Sequence, residues 1–177
     1  MSAVLQEEVK PLKLDIGCGK RKAEGHIGID AIAFEGVDTV CDVRKGIPYD
    51  AGSVDEIHTS HFVEHLTGAE RVAFFNEAYR VLKPGGKITV VVPDWSHDRA
   101  YGDPTHQWPP MSRWSFMYLS KQWRDVNAPH CGYECDFEGP IGGNMEPWCT
   151  LRNPEAQMFV TQHYVNALTD LIWTGYK

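Results

Sequence analysis

The chain has 177 residues, 42% of them hydrophobic and 23% charged, with a formal net charge of −7. That length suits one domain with a sizeable core, and an acidic excess gives no general support for nucleic-acid binding, which favours basic surfaces. No apolar run reaches the length of a membrane span, residues 1–11 carry no signal-peptide core, and the five cysteines read as reduced thiols of a cytoplasmic protein.

In chain order, residues 1–11 form a polar lead-in stopped by Pro11. Lys13-Leu14-Asp15-Ile16 is an apolar run into an acid, and Gly17-Cys18-Gly19 follows, a strand that ends in a tight turn where backbone can lie against a ligand. A second acid, Asp30, ends the run from His26, and a third, Asp42, follows a strand that stops near Cys41. In a parallel sheet these three acids line one edge, the edge at which open α/β sheets bind ligands. Only residues 20–27 separate Gly19 from Gly28, and a parallel crossover ordinarily needs a dozen residues or more. The first crossover helix is therefore very short or replaced by a loop.

Residues 54–60 are expected as strand four, after turn chemistry in residues 46–53. Thr67 with Glu70 forms a capping box, and Val72, Phe75, Tyr79 and Leu82 follow at helical spacing. Pro84-Gly85-Gly86 is expected to end that helix, and residues 87–93 to form a strand buried on both faces. Beyond it the pattern predicts a long loop over 95–110, a helix over 112–123 and a strand over 133–138. An inserted loop over 139–154, a helical turn or two over 157–164 and a last strand over 166–176 complete the chain. No internal repeat marks a second domain, so residues 1–177 read as one.

The glycine turn, the run from Ser53 to Leu66 and the segment Arg80-Val81-Leu82-Lys83-Pro84-Gly85-Gly86-Lys87 together resemble the class I, Rossmann-like S-adenosylmethionine-dependent methyltransferases, and the small type 11 families among them. The resemblance covers residues 12–95. It implies a mostly parallel seven-stranded sheet with helices on both faces and an antiparallel last strand. Lys22 stands where the longer dinucleotide fingerprint has its third glycine, which counts against a nicotinamide enzyme. By the resemblance, Asp15 faces the amino-acid end of S-adenosylmethionine while Gly17, Cys18 and Gly19 let the backbone approach. Asp30 and Ala31 meet the ribose, Asp42 and Val43 the adenine, and Ser60 and His61 the methionine portion. A carboxylate suits a vicinal diol because its two oxygens match the two hydroxyls. For each of these acids a helix cap or turn brace is the competing role.

The acceptor is less constrained. The run Ser60-His61-Phe62-Val63 replaces both the Asp/Asn-Pro-Pro-aromatic run of enzymes acting on exocyclic amines of DNA bases and the Pro-Cys of cytosine C5 enzymes. A small-molecule or glycan-like acceptor, methylated on O or N, is the expectation, with no membrane partner. The alternatives are a non-catalytic binder of the cofactor or its homocysteine product, and a nucleic-acid or protein modifier acting in a complex. The catalytic candidates are His106, His61 and Asp94, and the substrate-binding candidates are His97, Asp103 and Trp108. His106 closes an Asp-Pro-Thr-His run and suits a general base, while bracing of the same loop is the duller role. His130, Cys131, Cys135 and Cys149 offer zinc-ligand types at loose spacing, and no metal is expected there. Lys20-Arg21-Lys22 reads as a solvated basic loop, and Trp108, Trp114, Trp123 and Trp148 as core residues before pocket walls.

Overall fold

The computed structural model describes residues 10–145, 154–163 and 165–177. Its strands are β1 (Lys13–Ile16), β2 (Ile27–Asp30), β3 (Thr39–Val40), β4 (Val54–Ser60), β5 (Leu82–Pro93), β6 (Ile141–Met145) and β7 (Leu168–Tyr176). They form one sheet in the order β3-β2-β1-β4-β5-β7-β6. β1 to β5 run parallel to one another, and β7 pairs antiparallel with both β5 and β6. This is the expected mostly parallel seven-stranded α/β sheet, with its order reversing beside β1 so that β1 and β4 open a crevice at their carboxyl ends.

Register sorts the side chains onto two faces. Leu14, Ile57 and Ile88 are cross-strand partners, as are Val90 and Trp173, and all are buried beneath α1 (Gly68–Val81). On the opposite face Lys13, Glu56 and Lys87 pair across three strands, with Glu56 bridging both lysines at 2.9 and 3.1 Å. The crossovers over 17–26 and 31–38 contain no helix. Shortening therefore extends to the second crossover. β5 alternates instead of being buried throughout: Ile88, Val90 and Val92 are buried, Thr89 and Val91 half-buried.

The capping box of α1 is present as expected, the Thr67 hydroxyl accepting from Glu70 N while Glu70 accepts from Thr67 N. The helix is turned from the expected face, however. Arg71, Phe74, Phe75, Ala78 and Val81 are buried, and Val72 and Tyr79 are half-buried on its flank. It also stops before the Pro84-Gly85-Gly86 turn. Leu82 is already extended and paired with Val54, and Pro84 disfavours helical backbone at Lys83, so the helix cannot run on.

Later elements depart further. The loop over 95–110 contains a short helix, α2 (Arg99–Gly102). The single helix expected over 112–123 is two, α3 (Arg113–Met117) and α4 (Lys121–Asn127), because Ser120 starts a new helix by accepting from Trp123 N at 3.5 Å. Residues 133–138 form no strand; Glu138 makes a lone bridge to Tyr176, and the strand lies instead at β6, inside the stretch read as an inserted loop. Glycines hide β6 from its pattern. At Gly143 a Cβ would stand 2.7 Å from the Asp170 carbonyl oxygen, so the close backbone approach needs a residue with no side chain. α5 (Pro154–His163) agrees with the expected helical turns, and the last strand with β7.

Arg71 joins the halves. Its buried guanidinium donates to the carbonyls of Val63, Glu64, Gln107 and Pro109 at 3.3, 3.3, 3.0 and 2.6 Å. An Arg71→Met variant should lose about 3 kcal/mol in urea unfolding, since buried carbonyls are left without donors. A loss under about 1 kcal/mol would show that water replaces the guanidinium.

Candidate active site

At the carboxyl ends of β1 and β4 a cleft of about 440 Å³ is lined by Asp15, Gly17, Cys18, Lys20, Arg21, His58, Ser60 and His61. The glycine turn that forms its floor is held by two acids. Asp15 ends β1 almost fully buried, accepts from Ala23 N at 2.7 Å and meets His58 Nδ1 at 2.8 Å. Asp30 ends β2 and accepts from Gly19 N and Ile32 N, each at 2.9 Å. Gly17 and Gly19 have φ of 70° and 52°. A Cβ at Gly17 would strike the Phe62 ring at 2.6 Å, whereas the space beside Gly19 is open. An open backbone elbow beside a strand-end carboxylate fits a nucleoside with a ribose diol.

Cys18 packs over Gly28 with the Lys22 side chain. Its thiol is pushed up to about 11 by burial and then by the charges of Asp15 and Asp30. It is a space-filling group and not a thiolate nucleophile. Lys22 pairs with Asp38 at 2.7 Å, while Lys20 and Arg21 keep their place on the cleft wall. Ala31 is exposed, and the neighbouring Ile32 is 58% exposed beside Asp30. Asp42 caps the 3-10 turn Val43–Lys45 and takes two contacts from the Arg44 guanidinium at 2.7 and 3.0 Å, which hold its carboxyl below the usual range. Val43 is buried in the core. Neither is among the residues lining the cleft, nor are Gly19, Asp30 and Ala31; Asp30 is tied to the cleft through its bond from Gly19 N.

His61 stands just past β4 with a left-handed φ of 53°, rare for a side-chain-bearing residue. It lines the cleft and also a second cavity of about 710 Å³, shared with Glu64, His65, Asp98, Arg99, Asp103 and His106 among others. Its Nδ1 lies 3.3 Å from Glu64 Oε1 and its Nε2 3.7 Å from Asp170 Oδ1. The approach of Glu64 raises the imidazole's pKa, burial opposes this, and Asp170 adds to it. Arg99 Nη1 reaches Asp170 at 3.5 Å. His106 and Asp103 thus lie together on this cavity, with His106 Nε2 3.9 Å from Asp103 Oδ2.

The remaining candidates lie elsewhere. Asp94 is buried, takes Ser96 N at 2.8 Å, and lines a third cavity of about 670 Å³ with Trp95, Tyr101, Trp108, Arg113 and Trp114. Trp108 is 79% and Trp114 67% exposed, so these rings wall a recess instead of joining the core; among the described tryptophans Trp173 is the buried one, stacked on Phe116. Trp123 is half-buried against Trp114 and Tyr118. His97 is buried and accepts from Arg99 N at 3.1 Å. Cys135 is buried, its thiol pushed up to about 12 by burial. Cys149 and Trp148 lie outside the described residues. Glu64, Arg71, Asp170 and Arg99 were not among the sequence candidates. The acid of His61-Phe62-Val63-Glu64-His65 was a local signal, but nothing local marked the other three.

Residues 20–90 match a family model described as a methyltransferase domain, of the type 11 kind. No curated protein matches the chain in sequence. Among solved structures it is similar to a SAM-dependent methyltransferase from Archaeoglobus fulgidus, with TM-score 0.67 and 20% identity over 94% of this chain and 86% of that one. It is similar to geranyl diphosphate C-methyltransferase from Streptomyces coelicolor A3(2), solved with Mg2+, geranyl diphosphate and S-adenosyl-L-homocysteine, with TM-score 0.58 and 15% identity over 94% and 71%. It also resembles a putative methyltransferase of Haloferax volcanii solved with the Trm112 methyltransferase activator, with TM-score 0.55 and 14% identity over 94% and 82%. At these identities the likeness is one of fold. The fold is that of the class I, Rossmann-like S-adenosylmethionine-dependent methyltransferases, and the segment that matches the methyltransferase-domain model runs from just after the glycine turn into β5.

With a pKa near 11, Cys18 should be about one part in a thousand thiolate at pH 8. Peptide mapping after iodoacetamide treatment at that pH should find the half-buried Cys41 and Cys131 modified ahead of Cys18, whose labelling rises only as the pH approaches 11. Prompt modification of Cys18 at pH 8 would contradict the packing role.

Proposed function

We propose that the chain methylates an O or N atom of a small polar or glycan-like acceptor held in the 710 Å³ cavity. The observation that carries this is the position of His61, whose imidazole lines both that cavity and the cleft at the glycine turn. S-adenosylmethionine bound in the cleft supplies a methyl group on a sulfonium, an activated leaving group. Asp30 and the Gly17–Gly19 backbone hold its nucleoside end, and Arg21 and Ser60 face the amino-acid portion.

What is left to the protein is alignment and proton removal. His61, at the junction, takes the proton from the acceptor. Arg99 and His106 orient polar groups of the acceptor from the far side of the cavity, and Asp103 steadies the His106 loop by accepting from Thr105 N at 2.8 Å. The recess walled by Trp95, Trp108 and Trp114 suits the flat face of a sugar or other ring attached to that acceptor. Asp94 and His97 brace the chain that leaves β5. No described helix is long and apolar enough to cross a membrane, and the four described cysteines are free, which supports a cytoplasmic setting.

Two results test this reading. Asp30→Ala should weaken binding of S-adenosylhomocysteine about 10- to 100-fold by calorimetry, since it removes the anchor of Gly19 N as well as the diol acceptor. Unchanged affinity would remove Asp30 from the site. His61→Ala should slow methyl transfer about 100-fold or more at saturating cofactor. The transfer assay is a screen with methyl-labelled cofactor across metabolite, glycan, nucleic-acid and protein fractions. Label in a small polar or glycan acceptor supports the proposal; label confined to nucleic acid or protein, or binding with no turnover, contradicts it.

A further inference from the structure

The acceptor cavity contains a group of side chains that base catalysis does not require. Glu64, His65 and His106 each present one metal-ligand atom, and the three atoms lie within 4.8 Å of one another. Glu64 and His65 come from the 3-10 turn Val63–His65 after β4, and His106 from the loop far along the chain. Arg71 holds the two segments together by donating to the carbonyls of both Glu64 and Gln107.

Glu64 is only 4% exposed, yet among the described residues neither carboxylate oxygen receives a hydrogen bond. His61 Nδ1 comes within 3.3 Å of Oε1 but without the alignment of a bond. The guanidinium of Arg71 is spent on backbone carbonyls. A buried carboxylate left this way is costly unless a cation completes it.

Both imidazoles are turned for the same task. His106 Nδ1 faces the Ala100 carbonyl oxygen at 3.2 Å, so that nitrogen carries the proton and Nε2 keeps its lone pair. His65 Nδ1 lies 2.9 Å from Thr105 Oγ1, whose own hydrogen goes to Asp103 Oδ1 at 2.7 Å. The hydroxyl must then accept from His65, which again leaves Nε2 bare. Metal-binding histidines are oriented by this kind of outer hydrogen bond. With Oδ2 3.9 Å from His106 Nε2, Asp103 adds negative charge beside the group.

We propose that Glu64, His65 and His106 bind one divalent transition-metal ion at the wall of the acceptor cavity. Two imidazoles and a carboxylate suit zinc or iron(II), and three protein ligands leave coordination positions open. Those positions face the cavity, where an oxygen or nitrogen of the acceptor completes the sphere and is held for methylation. This deepens the reading of the cavity as the acceptor site and rests on it. The ligands differ from the cysteine group considered from sequence, where no metal was expected.

Elemental analysis of untagged protein should find about one metal equivalent per chain, removable by chelator. Cobalt(II) added to the stripped protein should produce visible d–d absorption that saturates at one equivalent. Glu64→Gln and, independently, His106→Gln should weaken cobalt binding at least about tenfold, with melting by circular dichroism confirming a fold in each. Cys131→Ser should bind cobalt as wild type does. Stripped protein that takes up neither zinc nor cobalt, binding that survives both ligand substitutions, or binding lost in Cys131→Ser would each overturn the proposal. Calorimetry with S-adenosylhomocysteine separates this from the cofactor reading: the ligand variants should keep that affinity, and Asp30→Ala should lose it while retaining cobalt.

Discussion

Asp30 accepting the Gly19 N–H is the contact on which the site depends. In a longer Rossmann-like chain a glycine turn runs directly into a helix, and that helix orders the backbone amides. Here the crossover over 17–26 has no helix. Its amides are ordered by strand-end carboxylates instead, Asp30 on Gly19 and Asp15 on Ala23. Both acids hold the turn; Asp15 is almost fully buried with both oxygens engaged, so it is the half-buried Asp30 that the proposed nucleoside would meet. The ribose diol can use lone pairs the amides leave free, because each carboxylate oxygen has two. The roles of brace and ligand, alternatives when read from sequence, are compatible in this geometry.

The second dependence is on the end of β4. After Ser60 the chain turns through a left-handed residue, His61, and then through the 3-10 turn that carries Glu64 and His65. That bend aims one imidazole at the boundary between two cavities and tucks a carboxylate beneath it. Charge then spreads outward from His61 to Asp170 on β7 and on to Arg99 on α2. An imidazole flanked by two acids and a guanidinium is well suited to a polar acceptor and poorly suited to an apolar one. Arg71 makes the arrangement rigid, since one buried fork holds the turn after β4 and the loop carrying His106.

What could be read from the chain alone follows from how local each signal is. The strands that end at Ile16, Asp30 and Ser60, and the Thr67–Glu70 capping box, are written in consecutive residues and appear where expected. The phase of α1 is obscured because adjacent Phe74 and Phe75 are both buried, so a strict apolar stripe selects the flanking Val72 and Tyr79 instead. β6 was missed because Gly142 and Gly143 carry no pattern; they are there for backbone contact with β7, a partner more than twenty residues away. The tryptophans were expected inside, yet Trp108 and Trp114 stand open around a recess made by proline-rich loop and helix ends. Glu64 was visible in the sequence but unremarkable. Only the fold, by burying it among histidines from two segments, gives it a role.

The account is tested most directly by a crystal structure of the chain with S-adenosylhomocysteine. It should show the nucleoside against the Gly17–Gly19 elbow with its ribose hydroxyls on Asp30, and the sulfur on the Ser60–His61 side, facing the cavity that holds His106. The product bound in another cavity, or at the elbow with its sulfur turned away from His61, would contradict it.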